Sequence, residues 1–352
     1  RRRRTPRFDA WAKEAAGEGA PATRAARLAR AVREGIDDDG GLIEADVTEA
    51  LVGGHGNRGL VLSAALEAVG LPHRLLLART RVHVPTERFL TIADFPYPLI
   101  ELAGGLLLDP GPERAEPGFV PFTVAGGDVL QVWPADGRDV PAPLPAERQV
   151  HDRRQVEVRA TWRKDGTLAG QVVDRLEGQE AIVIGHHLAR LDPEQRPRLV
   201  ERLLVGAVGA ARVEHLDDPA TQDPDGPLVL RYTFTAQAGD ALALGLFPVQ
   251  PASGHASAPE RRTPLAITLP TDQTVVIHLE SERPLAGRLV ASEEIAGAHR
   301  FTLAVEQSED AVTLRSHTVI PGGLIAPADY PAFAAWARAV EDAERVRLTA
   351  GP

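Results

Sequence analysis

The feature that most constrains this chain is a short apolar segment with glycines at both ends. Residues 60–69 consist almost entirely of Leu, Val and Ala, and they follow the glycine-rich residues 53–59. Apolar side chains would lie almost all round a helix through this segment, whereas a surface helix keeps one polar face. Gly70 directly after it and Pro72 shortly beyond are typical of a helix C-terminus. The segment therefore predicts a buried central helix, against which the rest of a domain packs.

Helical spacing precedes this helix, and short strands are predicted after it. In residues 8–36 apolar residues recur at helical spacing on both sides of a Gly/Pro breaker, with Thr23 as a candidate cap. Residues 37–41 are predicted to form a loop. Four apolar runs predict strands: residues 73–84, 98–102, 106–109 and 129–133. Residues 103–105, Ala-Gly-Gly, predict a tight hairpin between the second and third of these strands.

The second half of the chain is dominated by strand-like alternation. It follows residues 134–148, which are rich in proline and charge and are the best candidate for a domain boundary. Helices are predicted at residues 193–208 and 327–343. Strands are predicted at residues 156–162, 168–176, 227–236, 241–247, 265–270, 274–280, 298–306 and 310–319. The spacing predicts an antiparallel β-sandwich with two helices.

Composition removes several classes of function. The chain has no Cys, which excludes disulfides, thiolate zinc sites and a cysteine nucleophile. Its formal net charge of −10 disfavours a general nucleic-acid-binding protein, so we expect no nucleic-acid partner. No run of about 18 apolar residues occurs, so we expect no membrane span. The absence of Met leads us to expect a processed or excised piece of a longer chain.

Several motifs occur in a fixed order along the chain. Residues 60–74 read Leu-Val-Leu-Ser-Ala-Ala-Leu-Glu-Ala-Val-Gly-Leu-Pro-His-Arg, and residues 95–102 read Phe-Pro-Tyr-Pro-Leu-Ile-Glu-Leu. Residues 107–110, Leu-Leu-Asp-Pro, and residues 117–121, Pro-Gly-Phe-Val-Pro, follow them. Downstream, residues 262–265 and 329–333 read Arg-Thr-Pro-Leu and Asp-Tyr-Pro-Ala-Phe.

This order resembles the transglutaminase-like superfamily. The resemblance is closest to its bacterial multi-domain proteins, in which a domain of unknown function (DUF3857) precedes a transglutaminase-like core and a β-sandwich follows it. It implies an α+β fold, with a papain-like, transglutaminase-like core in residues 1–148 and an antiparallel β-sandwich domain in residues 149–352. It also implies a further N-terminal domain before residue 1 and a periplasmic or cell-envelope location.

The resemblance implies that two of the three catalytic positions of the family are substituted. Counting back from Gly70 without a gap, the family's Cys aligns with His55, its His with Tyr97 and its Asp with Asp109. A Cys at a helix N-terminus is favoured as thiolate, and the family's His serves as its base. A helix N-terminus would keep an imidazole at position 55 neutral. Tyr97, with an ordinary pKa of about 10, is a poor base near neutral pH. We expect no catalytic group for acyl transfer of the family type.

The five candidate ligand-binding residues also have simpler interpretations. His55 either fills the space of the lost thiol, contacts a ligand or keeps a residual catalytic role. Tyr97 fits a core-edge aromatic residue whose hydroxyl finds Asp109, and Asp109 fits a strand-ending turn. Asn57 and Arg58 in the first helical turn serve either as capping and surface groups, which we favour, or as cleft-lining residues. No metal and no cofactor are expected, because the histidines lack the spacing of a ligand set.

Three functions remain open from the sequence. The leading expectation is a catalytically inactive transglutaminase-like protein that acts as a binding or structural module for a protein or peptide. The alternative is an active hydrolase or acyltransferase with a non-standard site at His55, Tyr97 and Asp109. A third is a structural spacer, which predicts no pocket near residue 55. Kinship of fold does not choose among them, because function depends on the site.

Overall fold

A computed structural model of the protein describes residues 4–38, 46–81, 91–112, 114–132, 142–219, 222–287 and 289–351. These residues have the expected mixed α+β character. They divide into two compact units. The first unit comprises Arg1–His151, Ala181–His186 and Asp223–Pro227, and the second comprises Asp152–Glu180, His187–Gln222 and Leu228–Pro352. The two short insertions in the first unit come from the region that the sequence assigned to the second domain.

The first unit begins with helices whose starts are set by proline and by side-chain caps. Its helices are α1 (Pro6–Ala16), α2 (Pro21–Gly35), α3 (Val47–Gly53) and α4 (Arg58–Ala68). Thr5 caps α1 by accepting a hydrogen bond from the Phe8 amide at 3.3 Å. The expected cap at Thr23 is wrong, because α2 begins at Pro21 and Thr23 lies inside the helix. Proline is suited to the first helical position, since its missing N–H needs no partner there.

Helix α4 is the buried central helix that the sequence predicts. Each of its residues from Arg58 to Leu66 is buried. Helices α1, α2 and α3 pack against it. The C-terminal glycine, Gly70, has a φ of +70°, as expected for the residue that ends a helix. Burial on all sides explains why this segment lacks the polar face of a surface helix.

Two small sheets complete the first unit. Its strands are β1 (Asp37–Asp38), β2 (His55–Gly56), β3 (His73–Ala78), β4 (Tyr97–Leu102), β5 (Leu107–Leu108) and β6 (Val129–Gln131). Strands β1 and β2 pair in parallel, and the other four form an antiparallel sheet in the order β5-β4-β3-β6. The predicted strand at 73–84 ends at Ala78, and residues 82–84 lie outside the described residues. The predicted loop at 37–41 contains β1 because its backbone pairs with β2, and residues 39–41 lie outside the described residues.

The second unit is rich in strands. They are β7 (Arg153–Trp162), β8 (Thr167–Glu177), β9 (Ala211–Leu216), β10 (Leu228–Gln237), β11 (Ala241–Gly245), β12 (Leu265–Ile267), β13 (Thr271–Ser281), β14 (Leu285–Ala286), β15 (Ser292–Ala296), β16 (His299–Gln307), β17 (Ala311–Ile320), β18 (Gly323–Ile325) and β19 (Arg345–Ala350). Eight of them form one sheet in the order β15-β16-β17-β13-β7-β8-β10-β9. Smaller sheets have the orders β11-β19-β14 and β12-β18.

The expectation of a wholly antiparallel arrangement is wrong at one place. Strands β13 and β7 pair in parallel, with Val275 opposite Val156 and Ile277 opposite Val158. Alternation of apolar residues reports which face of a strand is buried and carries no information about the direction of its neighbour. The parallel pair was therefore beyond what the pattern could predict.

The expectation of two helices in this half of the chain is also wrong. The described residues there contain α5 (Gln179–Arg190), α6 (Arg196–Val208), α7 (Pro251–His255) and α8 (Tyr330–Glu344). Helices α6 and α8 match the predicted helices at 193–208 and 327–343. Helix α5 was missed although its apolar residues do recur at helical spacing, whereas α7 is only five residues long and too short to give a periodic signal.

Candidate functional site

His55 does not lie at the tip of the central helix. Asn57 is the residue that caps α4, since its Oδ1 accepts a hydrogen bond from the Leu60 amide at 2.9 Å. His55 precedes this cap, is exposed and belongs to β2, where it pairs with Asp37. The expected electrostatic effect of the helix N-terminus on the side chain at position 55 is therefore wrong, because the helical N–H groups begin beyond Asn57. The expectation that Asn57 is a capping residue is confirmed.

Glycines shape the chain between α3 and α4. Gly54 ends α3 in the left-handed conformation, with a φ of +72°. Gly56 has a φ of +148°, and a Cβ there would lie 2.8 Å from the Cβ of Ala50. A side chain at Gly53 would come within 3.2 Å of His55 Nε2, so the imidazole lies beside the last turn of α3. The glycine-rich segment thus makes a tight connection, which places His55 against α3.

Tyr97 and Asp109 form a direct side-chain pair. Tyr97 opens β4, and Asp109 directly follows β5, the neighbouring antiparallel strand. The Tyr97 hydroxyl donates to Asp109 Oδ2, and the Gly111 amide donates to Oδ1 at 2.9 Å. Asp109 is only 2% exposed. Both carboxylate oxygens therefore have a donor, as the desolvation cost of a buried carboxylate demands.

Burial changes the acid–base behaviour of both groups. It raises the pKa of Asp109 to about 6, although the hydrogen bonds from Tyr97 and Gly111 and the nearby Arg33 guanidinium favour the charged form. Burial also raises the pKa of Tyr97, and the charge and hydrogen bond of Asp109 act in the same direction. Tyr97 therefore stays protonated near neutral pH. It acts as a hydrogen-bond donor to Asp109 and has no capacity to accept a proton as a base.

Arg58 is a buried structural residue, so its expected surface position is wrong. It is 6% exposed, and its guanidinium donates to three backbone carbonyls. Nε donates to Ile36 at 2.6 Å, Nη1 to Gly111 at 2.6 Å and Nη2 to Arg33 at 3.1 Å. The planar fork of an arginine suits such divergent acceptors. Arg58 joins the end of α2 to the turn after Asp109, a role that the sequence pattern does not reveal.

A second cluster beside Asp109 was missed by the sequence reasoning. On α2, Arg30 and Arg33 both form ion pairs with Asp225, which belongs to the Asp223–Pro227 insertion of the first unit. Arg33 is 6% exposed, and its charge acts on Asp109. The spacing of Arg30 and Arg33 by one helical turn was the available signal, but the acidic partner lies nearly 200 residues away in the chain.

Comparison with known proteins gives one solved structure that shares this fold. Neither a protein-family model nor a curated protein matches the sequence. The crystal structure of a "putative protease" from Parabacteroides distasonis ATCC 8503 superposes with a TM-score of 0.56 at 11% sequence identity. The match covers 98% of this chain and 55% of that chain. The chain thus spans about half the length of that protein, and at this identity the likeness concerns the fold alone.

Ser63 in the middle of α4 and His73 at the start of β3 form a further polar pair. Ser63 Oγ lies 2.7 Å from His73 Nε2, and His73 Nδ1 lies 2.9 Å from the Leu71 carbonyl oxygen. Both residues border a cavity of about 450 Å³. Ser63 has no exposed surface, as expected for a side chain inside the central helix. The hydrogen bond between the two side chains links α4 to β3, the strand that follows it.

Two further findings concern metals and membranes. Among the described residues, no group of three or more His, Cys, Asp or Glu side chains is arranged to hold a metal ion. The described helices include none with the length and apolar character needed to cross a membrane.

Proposed function

We propose that the first unit is a catalytically inactive transglutaminase-like domain that acts as a binding or structural module for a peptide or protein. The observation that carries the proposal is the Tyr97–Asp109 pair. In the alignment that the resemblance implies, Tyr97 takes the position of the catalytic base. Its hydroxyl donates a hydrogen bond to Asp109, and its raised pKa keeps the hydroxyl protonated near neutral pH.

The position of His55 supports the same proposal. The aligned Cys of the family gains reactivity at a helix N-terminus, whereas His55 lies on β2, ahead of the Asn57 cap. An imidazole nucleophile in this setting needs its own base, and Tyr97 does not supply one. The position of His55 ahead of the helix cap and the donor role of Tyr97 both support a site without acyl-transfer activity of the family type.

We also propose a transglutaminase-like core, a β-sandwich and a cell-envelope location for this protein. A buried helix packed on a four-stranded antiparallel sheet supports a papain-like, transglutaminase-like core. The strand-rich second unit supports a multi-domain protein in which a β-sandwich domain follows the core along the chain. The cell-envelope location and a preceding domain follow only from the sequence resemblance.

One observation favours a second candidate, an active hydrolase or acyltransferase. The structural neighbour is described as a "putative protease". The pKa of Asp109, about 6, would also let this carboxyl exchange a proton near neutral pH. This candidate requires His55 to reach a substrate together with Asp109.

Activity assays on the purified chain separate the two candidates. We expect no amide hydrolysis of a casein substrate and no incorporation of a labelled primary amine above the level of buffer. Activity that disappears in a His55→Ala variant would overturn the proposal. The matched control is His215→Ala, which removes an imidazole whose side chain is 71% exposed and lies in the second unit.

A further inference from the structure

We propose that Arg30 and Arg33 form a carboxylate socket that binds an acidic peptide, and that Asp223–Pro227 occupies this socket as a tethered ligand. The proposal rests on the proposed binding role of the first unit and names the chemistry of its partner. Arg114, which binds the backbone of the same segment, completes the socket. The sequence of the tethered segment is Asp-Pro-Asp-Gly-Pro.

In the inner part of the socket, Arg30 and Arg33 bind the two oxygens of the Asp225 carboxylate. Arg30 donates to Asp225 Oδ2 through Nε at 2.9 Å and Nη2 at 2.6 Å. Arg33 donates to the other oxygen, Oδ1, through Nη2. The side chains of Asp225 and Arg33 are only 12% and 4% exposed. Paired N–H groups from two guanidinium forks are a strong and geometrically specific way to recognise a carboxylate.

The outer part of the socket recognises a second carboxylate and the main chain. Arg30 Nη2 also lies 2.5 Å from Asp223 Oδ1, and the Asp223 side chain is 65% exposed. Arg114 Nη1 donates to the carbonyl oxygens of Asp223 at 2.9 Å and Gly226 at 2.7 Å. The three arginines thus bind two acidic side chains, which are two residues apart, and the backbone that carries them.

The tethered segment has the form of a short preformed peptide. The Asp225 amide donates to Asp223 Oδ1 at 3.1 Å, and the Gly226 amide donates to the Asp223 carbonyl oxygen at 3.2 Å. Pro224 and Pro227 restrict the backbone on either side of Asp225. A turn that is held by its own side chain and by proline loses little entropy on binding.

The tethered segment does not satisfy the whole socket. Arg33 Nε is buried and has no acceptor among the described residues. Burial also lowers the pKa of Arg33, because little water is left to stabilise its charge, although Asp225 favours the charged form. A buried donor without an acceptor is costly, so a peptide that supplies one more oxygen would bind the socket better than Asp225 does.

The position of the socket connects it with the candidate site. The Arg33 carbonyl accepts a hydrogen bond from Arg58, and Arg58 also binds the Gly111 carbonyl. The Gly111 amide in turn donates to Asp109. An acidic peptide in the socket would therefore be connected to the Tyr97–Asp109 pair through Arg58 and Gly111.

The test frees the socket and supplies the peptide in trans. In a double variant, Asp223→Ala with Asp225→Asn, the tethered carboxylates are removed while the volume of Asp225 is kept. The probe is a fluorescein-labelled peptide with the sequence Asp-Pro-Asp-Gly-Pro, measured by fluorescence anisotropy. Because a tethered ligand competes at a high effective concentration, we expect the double variant to bind at least about tenfold more tightly than the wild type.

The controls separate this proposal from the preceding one. Adding Arg30→Ala to the double variant should abolish the gain, and Asp240→Ala, a change at a side chain that is 90% exposed, should leave binding as in the wild type. Equal binding by the double variant and the wild type, or binding that survives Arg30→Ala, would overturn the socket. Should the double variant fail to fold, Asp223→Ala alone, at the more exposed carboxylate, takes its place with the same expected direction. The assays for hydrolysis and amine incorporation do not involve this peptide, so each proposal fails by its own result.

Discussion

The Tyr97 hydroxyl donates a hydrogen bond to Asp109, so this buried carboxylate is engaged by a tyrosine. The β4–β5 hairpin brings the two residues together across a separation of 12 positions in the sequence. Under the alignment that we propose, the same carboxylate would orient an imidazole in an active relative. Here it is buried beneath a phenol that does not titrate near neutral pH.

Removing the Tyr97 hydroxyl should destabilise the first unit. We expect Tyr97→Phe to lower the free energy of unfolding by about 1–2 kcal/mol, because a buried carboxylate oxygen loses its donor. The matched control is Tyr232→Phe, since the buried Tyr232 hydroxyl has no hydrogen-bond partner among the described residues. That variant should change the free energy by no more than about 0.5 kcal/mol. Urea unfolding at pH 7 measures both, and equal losses would contradict the assigned hydrogen bond.

Asp109 should make the stability of the protein fall as pH rises through the weakly acidic range. Its pKa is raised by burial from 3.8 to about 6, so the folded state holds the proton more tightly than the unfolded state. The contribution to stability is therefore complete below about pH 4 and is lost as pH rises to about 6, with a total of about 3 kcal/mol. Asp109→Asn should remove this contribution and so make the slope shallower, whereas Asp240→Asn at an exposed site should leave the slope unchanged. Unfolding curves between pH 4 and 7 test the difference, and an unchanged slope in Asp109→Asn would refute the assignment.

Arg58 should be among the most sensitive positions in the first unit. Arg58→Ala leaves three carbonyl oxygens without their donor, and we expect a loss of about 3 kcal/mol or more. Arg58→Lys keeps the charge but cannot reach all three acceptors, so it should lose about 2 kcal/mol. Arg159→Ala, which removes a 63% exposed partner of Glu157, should cost less than about 1 kcal/mol. A lysine variant as stable as the wild type would show that charge, and not the three-way fork, is what matters.

Glu344 should give the second unit a separate dependence on pH. It is 2% exposed on α8, and burial, with the nearby charge of Glu341, raises its pKa to about 7 although the amides of Val249 and Gln250 favour the charged form. The contribution of Glu344 to stability is therefore complete below about pH 4.5 and is lost as pH rises through 7.

We expect Glu344→Gln to stabilise the protein at pH 8 by about 1–3 kcal/mol and to have little effect at pH 4. The control is Asp342→Asn on the same helix, where the side chain is 76% exposed. Thermal unfolding at the two pH values measures the effect. A stabilisation of equal size at both values would mean that titration of Glu344 is not its cause.

Much of the local structure could be predicted from the sequence. The all-round apolar character of residues 60–69 predicted the buried helix α4, and the Ala-Gly-Gly turn predicted the hairpin that joins β4 to β5. The helix predicted at residues 327–343 is α8, Tyr330–Glu344. These predictions succeed because hydrophobic periodicity and glycine conformation are properties of neighbouring residues.

The candidate site could be predicted only in part. Pairing of Tyr97 with Asp109 was expected, since adjacent antiparallel strands bring their ends together. The alignment of His55 with the family's cysteine stays a prediction, but the expected effect of the helix N-terminus on position 55 was wrong, because a gapless count could not show that Asn57 would cap the helix. Arg58 looked like a surface residue because its three acceptors are backbone atoms, which carry no sequence signature.

The sequence by itself determined the central helix, the hairpin and the absence of a cysteine nucleophile, all of which depend on residue identity and local order. Only the tertiary structure decided that Arg30 and Arg33 meet Asp225, that β13 runs parallel to β7 and that Asp109 is buried enough to shift its pKa. Contacts between distant segments depend on how the chain closes on itself. Because burial sets the energy of a charge, the electrostatics of the site existed only once the fold had formed.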